Sequence, residues 1–134
     1  MDILIIDDNE MTRMLLRTIL TAENHKVAGE AINGESGVEM AIKMKPDIIC
    51  LDILMPDGSG IDVLKQIMER LPKTIVLMVT GTRDATTIKE CLANGAQGFV
   101  IKPFNAATVI KTVDESIFRA SQKKTVPKLD SGSI

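Results

Sequence analysis

Four apolar runs constrain this chain more than anything else in it: Ile3 to Ile6, Ile48 to Leu51, Ile75 to Val79 and Phe99 to Ile101, each broken off by a polar residue. A strand with one wet face alternates apolar and polar residues, whereas an uninterrupted run of this length needs apolar neighbours on both faces. The intervening stretches are amphipathic and long enough for helices, so the pattern predicts a parallel sheet covered on both sides. Parallel strands all end at one edge. Asp7-Asp8, Asp52, Thr80-Gly81 and Lys102-Pro103 follow the runs in turn. Three carboxylates, a hydroxyl and an ammonium are therefore expected to converge at the edge where open α/β sheets place their sites.

At 134 residues the chain has the length of one domain with a real core. Aromatic residues make up 2% and methionine supplies eight positions, so that core is aliphatic and thioether. No apolar run approaches the roughly 18 residues of a membrane span, and Met1-Asp2-Ile3 leads directly into a strand, which points to a cytoplasmic protein without a membrane partner. A net charge of −2 gives no basic footprint for direct nucleic-acid binding. Cys50 and Cys91 lack any paired or metal-type spacing and read as inert, reduced thiols. His25, the single histidine, lies in a turn and reads as surface filler rather than a phosphate carrier.

Periodicity and breakers predict five strands alternating with five helices. The strands are Ile3 to Ile6, Lys26 to Glu30, Ile48 to Leu51, Thr74 to Val79 and Gly98 to Ile101, the second polar enough for a sheet edge. The helices run from about Glu10 to Glu23, from Asn33-Gly34 to Lys45, from Ile61 to Leu71, from Asp84 to Ala93 and from Ala106 to Ala120. Either Asp8 or Asn9 can cap the first of them. The segment from Ile53 to Gly60, with Pro56, Gly58 and Gly60, carries too many breakers for regular structure. Residues 1–121 form the domain, and 122–134, without apolar period, read as a polar tail or the root of a linker.

Right-handed crossovers leave few strand orders for such a chain. The flavodoxin-like order 2-1-3-4-5, a five-stranded parallel sheet with helices on both faces, sets Asp7-Asp8 beside Asp52. Carboxylates that close repel one another, and a hard divalent cation with oxygen ligands relieves this. Mg²⁺ suits the pattern because it uses few carboxylates, keeps waters and leaves room for phosphoryl oxygens. With a phosphoryl donor present, a cation, a lysine and a hydroxyl are the groups that neutralise the transferring charge, and one carboxylate can accept the phosphoryl group.

Asp7-Asp8, the segment Leu51-Asp52-Ile53-Leu54-Met55-Pro56 with Gly60 beyond it, Thr80, and Lys102-Pro103-Phe104 together resemble a response-regulator receiver domain of two-component signalling, of the chemotaxis-regulator kind. The resemblance covers residue 2 to about 120. It implies that Asp52 is the phosphoacceptor, served by a sensor histidine kinase or by a small donor such as acetyl phosphate. It implies that Asp8, Asp52 and the backbone carbonyl of Leu54 ligate Mg²⁺, with Asp7 acting through water. Thr80 would bond the phosphoryl group, Lys102 would pair with it, and Pro103 matches a position where the family places a cis peptide. Phe99 matches a switch aromatic, usually tyrosine, so no ring hydroxyl is available here. The face made by the fourth helix, fifth strand and fifth helix would carry output to a target protein or to a second copy of the chain.

Other classes fit less well. An FMN protein needs a Ser/Thr/Gly-rich phosphate loop after the first strand, where this chain has Asp7-Asp8-Asn9-Glu10. An aspartyl phosphatase would want a second acid two residues past the nucleophile, where Leu54 stands. A pseudo-receiver that serves only as an interaction module would lack one of the key residues, and none is missing. The expectation is therefore a phosphoacceptor rather than an enzyme, either free-standing or the receiver portion of a longer regulator, with output through protein contact.

Overall fold

A computed structural model of the chain describes residues 1–133, and the side chains of residues 1–122. Strand β1 (Asp2–Ile6) leads to helix α1 (Glu10–Ala22), β2 (Lys26–Ala31), α2 (Gly34–Met44) and β3 (Ile48–Leu51). A short hairpin of β4 (Leu54–Met55) and β5 (Gly58–Ser59) precedes α3 (Gly60–Arg70), β6 (Ile75–Thr80), α4 (Ala85–Ala93), β7 (Gly98–Ile101) and α5 (Ala106–Ser133). The main sheet is parallel in the order β2-β1-β3-β6-β7, the flavodoxin-like order expected once the hairpin strands are counted. Strand β2 lies at one edge, as its polarity predicted.

The apolar runs work as the pattern requires, because successive strand residues face opposite ways. Ile3, Ile5, Ile48, Cys50, Ile75, Leu77 and Val79 pack with Leu16, Ile19 and Leu20 of α1 and Val109 and Val113 of α5. Leu4, Ile6, Ile49, Leu51, Val76 and Met78 pack on the other face with Ala41 of α2, Val63, Leu64 and Ile67 of α3, and Cys91 of α4. Leu16, Ile19 and Leu20 recur at three- and four-residue spacing, which keeps them on one helix face. Burial pushes the Cys50 thiol up to about 12, and burial, with the charge of Glu90, also raises Cys91, so both thiols are inert.

Three local readings change. The Ile53 to Gly60 segment is a tight antiparallel ladder, with Leu54 opposite Ser59 and Met55 opposite Gly58. Of its breakers, Pro56 makes the connection with Asp57, Gly58 opens β5 at φ +144°, a backbone shape that favours glycine, and Gly60 opens α3. Helix α5 continues past the expected Ala120 end to Ser133. Beyond residue 122 the expected tail lies outside the residues whose side chains are described. His25 is half-buried rather than surface filler, and its Nδ1 has no hydrogen-bond partner among the described residues. No helix among the described residues is long and apolar enough to cross a membrane.

Burial separates two leucines that look alike in sequence. Leu64 is fully buried between α3 and the sheet, whereas Leu54 is 76% exposed. Leu64→Ala should lower unfolding free energy by about 3 kcal/mol, since it leaves a cavity in a packed interior. Leu54→Ala should change it by less than about 0.5 kcal/mol. Urea denaturation of both variants checks the pair.

Candidate functional site at the carboxyl edge of the sheet

Strand order reverses between β1 and β3: from β1 the chain goes first to β2 on one side, then to β3 on the other. The crossover helices lie on opposite faces there, which leaves a crevice outside the carboxyl ends of the two strands. Asp7 follows β1 and Asp52 follows β3, so both open into it. Sheet pairing carries them into place: Asp7 N–H donates to Ala31 O at 3.0 Å, and Asp52 N–H donates to Ile6 O at 3.0 Å.

Asp7 and Asp52 are buried, and Asp8 is exposed at the rim. Carboxylate oxygens of the three lie within 4.8 Å of one another. Lys102 crosses from the end of β7 and bridges the buried pair, its Nζ donating to Asp7 Oδ2 at 2.9 Å and to Asp52 Oδ2 at 3.0 Å. The remaining oxygens are held by backbone: Asp7 Oδ1 accepts from Asn9 N–H at 2.8 Å, and Asp52 Oδ1 from Ile53 N–H at 2.7 Å. Asn9, not Asp8, caps α1, its side chain accepting from Thr12 N–H at 2.9 Å. Asp8 is thereby left to face the crevice.

One ammonium serves two buried carboxylates. Burial raises the Asp7 carboxyl above its ordinary value; the bonds from Asn9 and Lys102 oppose this, and the charge of Asp52 adds to it. Burial works against the Lys102 charge, but the hydrogen bonds to Asp7 and Asp52 outweigh it, and its pKa is raised. The site therefore holds its ammonium firmly and still carries excess negative charge. Hard oxygen donors in that number and proximity, with one member open to solvent, fit a divalent cation of the Mg²⁺ type.

The other expected residues sit around this cluster. Thr80 ends β6, is 1% exposed, and its Oγ1 accepts from Thr82 N–H at 3.4 Å. Phe99 pairs with Met78 in the sheet, and Thr80 with Ile101, so Thr80 and Phe99 project on the same face. Phe99 is half-buried there against the core beneath α3 and α4. The Lys102–Pro103 peptide is cis. Lys102 N–H donates to Thr80 O at 2.8 Å, which ties the two strand ends together. Leu54 lies in β4 with its side chain in solvent.

Two residues escaped the sequence reading. Arg13, on α1, donates from Nη1 to the carbonyl of Asp7 at 2.7 Å while its Nε bonds Glu30 at 3.3 Å. Asp57 accepts from the first amides of α2 at 2.9 and 3.0 Å. Neither carries a sequence signal, because helix charges and turn acids are commonplace. Gly60 shows why a glycine follows the Asp52 segment: a Cβ there would lie 1.9 Å from the Asp52 carbonyl oxygen.

The family model for the response regulator receiver domain matches residues 3–114. This chain belongs to the receiver-domain family of two-component response regulators. The chemotaxis protein CheY of Thermotoga maritima is 36% identical over 113 residues, which span 84% of this chain and 94% of the relative. A protein-glutamate methylesterase/protein-glutamine glutaminase of Archaeoglobus fulgidus is 39% identical over 123 residues, covering 91% of this chain but 35% of that protein. Among solved structures, the CheX-CheY-BeF3-Mg complex of Borrelia burgdorferi matches with a TM-score of 0.84 and 34% identity, over 87% of this chain and 88% of that one.

The raised Asp7 carboxyl has a consequence for stability. An acid whose pKa is higher folded than unfolded contributes less stability as pH rises from the ordinary carboxylate value, about 3.9, through the folded value. Asp7→Asn removes that decline and leaves an oxygen to accept from Asn9. In EDTA at pH 7 the variant should be more stable than the wild type, with the difference shrinking toward pH 4. Urea denaturation across that range measures it.

Proposed function

We propose that the chain is a phosphorylation-controlled switch in which Asp52 accepts a phosphoryl group from the phosphohistidine of a sensor histidine kinase. The observation that carries this is the meeting of Asp7, Asp8 and Asp52 with Lys102 at the switch point of the sheet. An Asp52 carboxylate oxygen attacks phosphorus, and the bond from phosphorus to the histidine nitrogen, or to the acetyl oxygen of a small donor, breaks with its electron pair on the leaving group. Two hydrogen bonds already fix the Asp52 rotamer, so little reorganisation precedes attack. Lys102, 3.0 Å from that carboxylate, is positioned to follow the incoming charge to a phosphoryl oxygen.

Asp8, Asp52 and the Leu54 carbonyl would hold Mg²⁺ directly, with Asp7 bonding through water. Bound there, the cation supplies positive charge and oxygen coordination that offset repulsion between the acid cluster and the donor. The chain itself binds, orients and accepts; it is a phosphoacceptor with self-phosphorylation from small donors, not an enzyme acting on a separate substrate.

After transfer, Thr80 turns its hydroxyl to the phosphoryl group, and the space it leaves on the shared sheet face is taken by Phe99. The surface of α4, β7 and α5 then changes for a target protein or a second copy of the chain, in the cytoplasm and without direct contact to nucleic acid or membrane. A second reading, the receiver portion of a longer regulator, is favoured by the Archaeoglobus relative, of which this chain covers 35%.

Acetyl phosphate with Mg²⁺ should raise the intact mass by one phosphoryl group, and EDTA or Asp8→Ala should abolish the gain. Asp52→Asn should abolish it as well; labelling of that variant at the wild-type rate refutes the assignment.

Thr80→Ala should part chemistry from output. Labelling should survive within about tenfold, while phosphorylation-dependent NMR shifts around Phe99 disappear. Wild-type shifts in that variant would show that the switch does not pass through Thr80.

A further inference from the structure

The acid cluster does not account for Asp57, which lies at the tip of the β4–β5 hairpin between Pro56 and Gly58. Its two carboxylate oxygens reach a different element: Oδ1 accepts from Gly34 N–H at 2.9 Å and Oδ2 from Glu35 N–H at 3.0 Å. These are the first two residues of α2. The opening turn of a helix leaves N–H donors without intrahelical partners. The local cap, Asn33, serves Ser36 N–H at 2.8 Å, and the two donors before it are served by Asp57 from 22 and 23 residues away.

A carboxylate at the positive end of a helix gains from the helix dipole as well as from two charge-assisted hydrogen bonds. The bonds from Gly34 and Glu35 hold the Asp57 carboxyl below its ordinary range.

The hairpin so tethered carries the Leu54 carbonyl. Leu54 is 76% exposed, so its side chain does not seat that carbonyl in the core. The segment is fixed at its start by Ile53 N–H on Asp52 Oδ1 and at its end by Ser59 Oγ, which accepts from Ile61 N–H at 3.1 Å. Met55 rests partly buried on the core between them. A cleft of about 300 Å³, lined by Gly34, Asp57, Gly58, Ser59 and Val63 among others, runs beside the contact. Without Asp57 the hairpin keeps its ladder, Leu54 opposite Ser59, but loses both hydrogen bonds to α2.

We propose that Asp57 is a positioning residue: by clasping the N-terminus of α2 it fixes the β4–β5 hairpin, and with it the Leu54 carbonyl, in the place a divalent cation requires. The proposal rests on the metal reading of the acid cluster and adds to it. Asp57 does not touch the cation. It sets in advance the one backbone ligand of the set, while Asp7, Asp8 and Asp52 hang on the rigid ends of β1 and β3.

The test is Mg²⁺ affinity of the metal-free protein, followed by calorimetry or by amide shifts on titration with MgCl₂, so it needs no phosphoryl transfer. Groups that hold a metal ligand in place typically contribute tenfold or more to affinity, so Asp57→Ala should bind Mg²⁺ roughly tenfold more weakly. Asp57→Asn, which keeps an oxygen acceptor, should recover most of that loss. Hydrogen exchange at Gly34 and Glu35 should quicken in Asp57→Ala. Asn33→Ala is the control, since it removes the local cap of the same helix and lowers stability without releasing the hairpin; its Mg²⁺ affinity should stay at the wild-type value. Equal weakening in Asp57→Ala and Asn33→Ala, or unchanged affinity in Asp57→Ala, overturns the positioning role alone. Wild-type protein that binds no Mg²⁺ overturns the metal reading and this proposal with it.

Discussion

A single ammonium set between two buried carboxylates is the interaction on which the site depends. Asp7 and Asp52 are brought together by neighbouring parallel strands, and without a cation between them their repulsion in a water-poor crevice would oppose folding at that edge. Lys102 meets both at hydrogen-bond distance, yet it balances only one charge. The remainder, reinforced by Asp8 at the rim, makes the crevice receptive to a divalent cation. Burial, with a smaller part from the charge of Asp52, raises the Asp7 carboxyl, and the hydrogen bonds to both carboxylates hold the proton on Lys102.

The scaffold holds that arrangement by backbone bonds more than by side-chain packing near the crevice. Asp7 and Asp52 each have one oxygen on an amide just past them in the chain, and each is itself tied by its own N–H to the adjacent strand. Gly60 lets α3 begin directly against the Asp52 carbonyl, where any side chain would collide. Beneath them, the sheet is packed on both faces, so the strand ends have little freedom to adjust. Thr80 and Phe99 share one face of that sheet, Phe99 packed half-buried on its core.

Much of the fold was legible because parallel strands buried on both faces leave a signature few other structures produce. The runs at Ile3, Ile48 and Ile75 gave their strands nearly to the residue, and the polar residues after them marked one edge. Helix ends were legible where Asn33, Asp84 and Pro72 punctuate them. The β4–β5 hairpin was not, since glycine and proline mark a turn without saying whether its flanks pair. The α5 end was misread because apolar period, the signal used, stops near Ala120 while the helical backbone continues. His25 was misplaced for a related reason: a lone turn histidine has no pattern from which burial can be read.

By itself the sequence determined which residues end the strands, and chemistry follows from that, because parallel strands must deliver their carboxyl ends to one side. It also determined that both sheet faces are covered, through runs too apolar to meet water. Tertiary structure decided how the charges are shared: that Lys102 bridges Asp7 and Asp52, that Asn9 caps α1 and frees Asp8, and that Arg13 holds the Asp7 carbonyl. It alone joined Asp57 to α2. These contacts unite residues 22 to 95 positions apart as well as near neighbours. Side chains of such separation meet only after the sheet has formed, and no local pattern encodes which donor an acid will find.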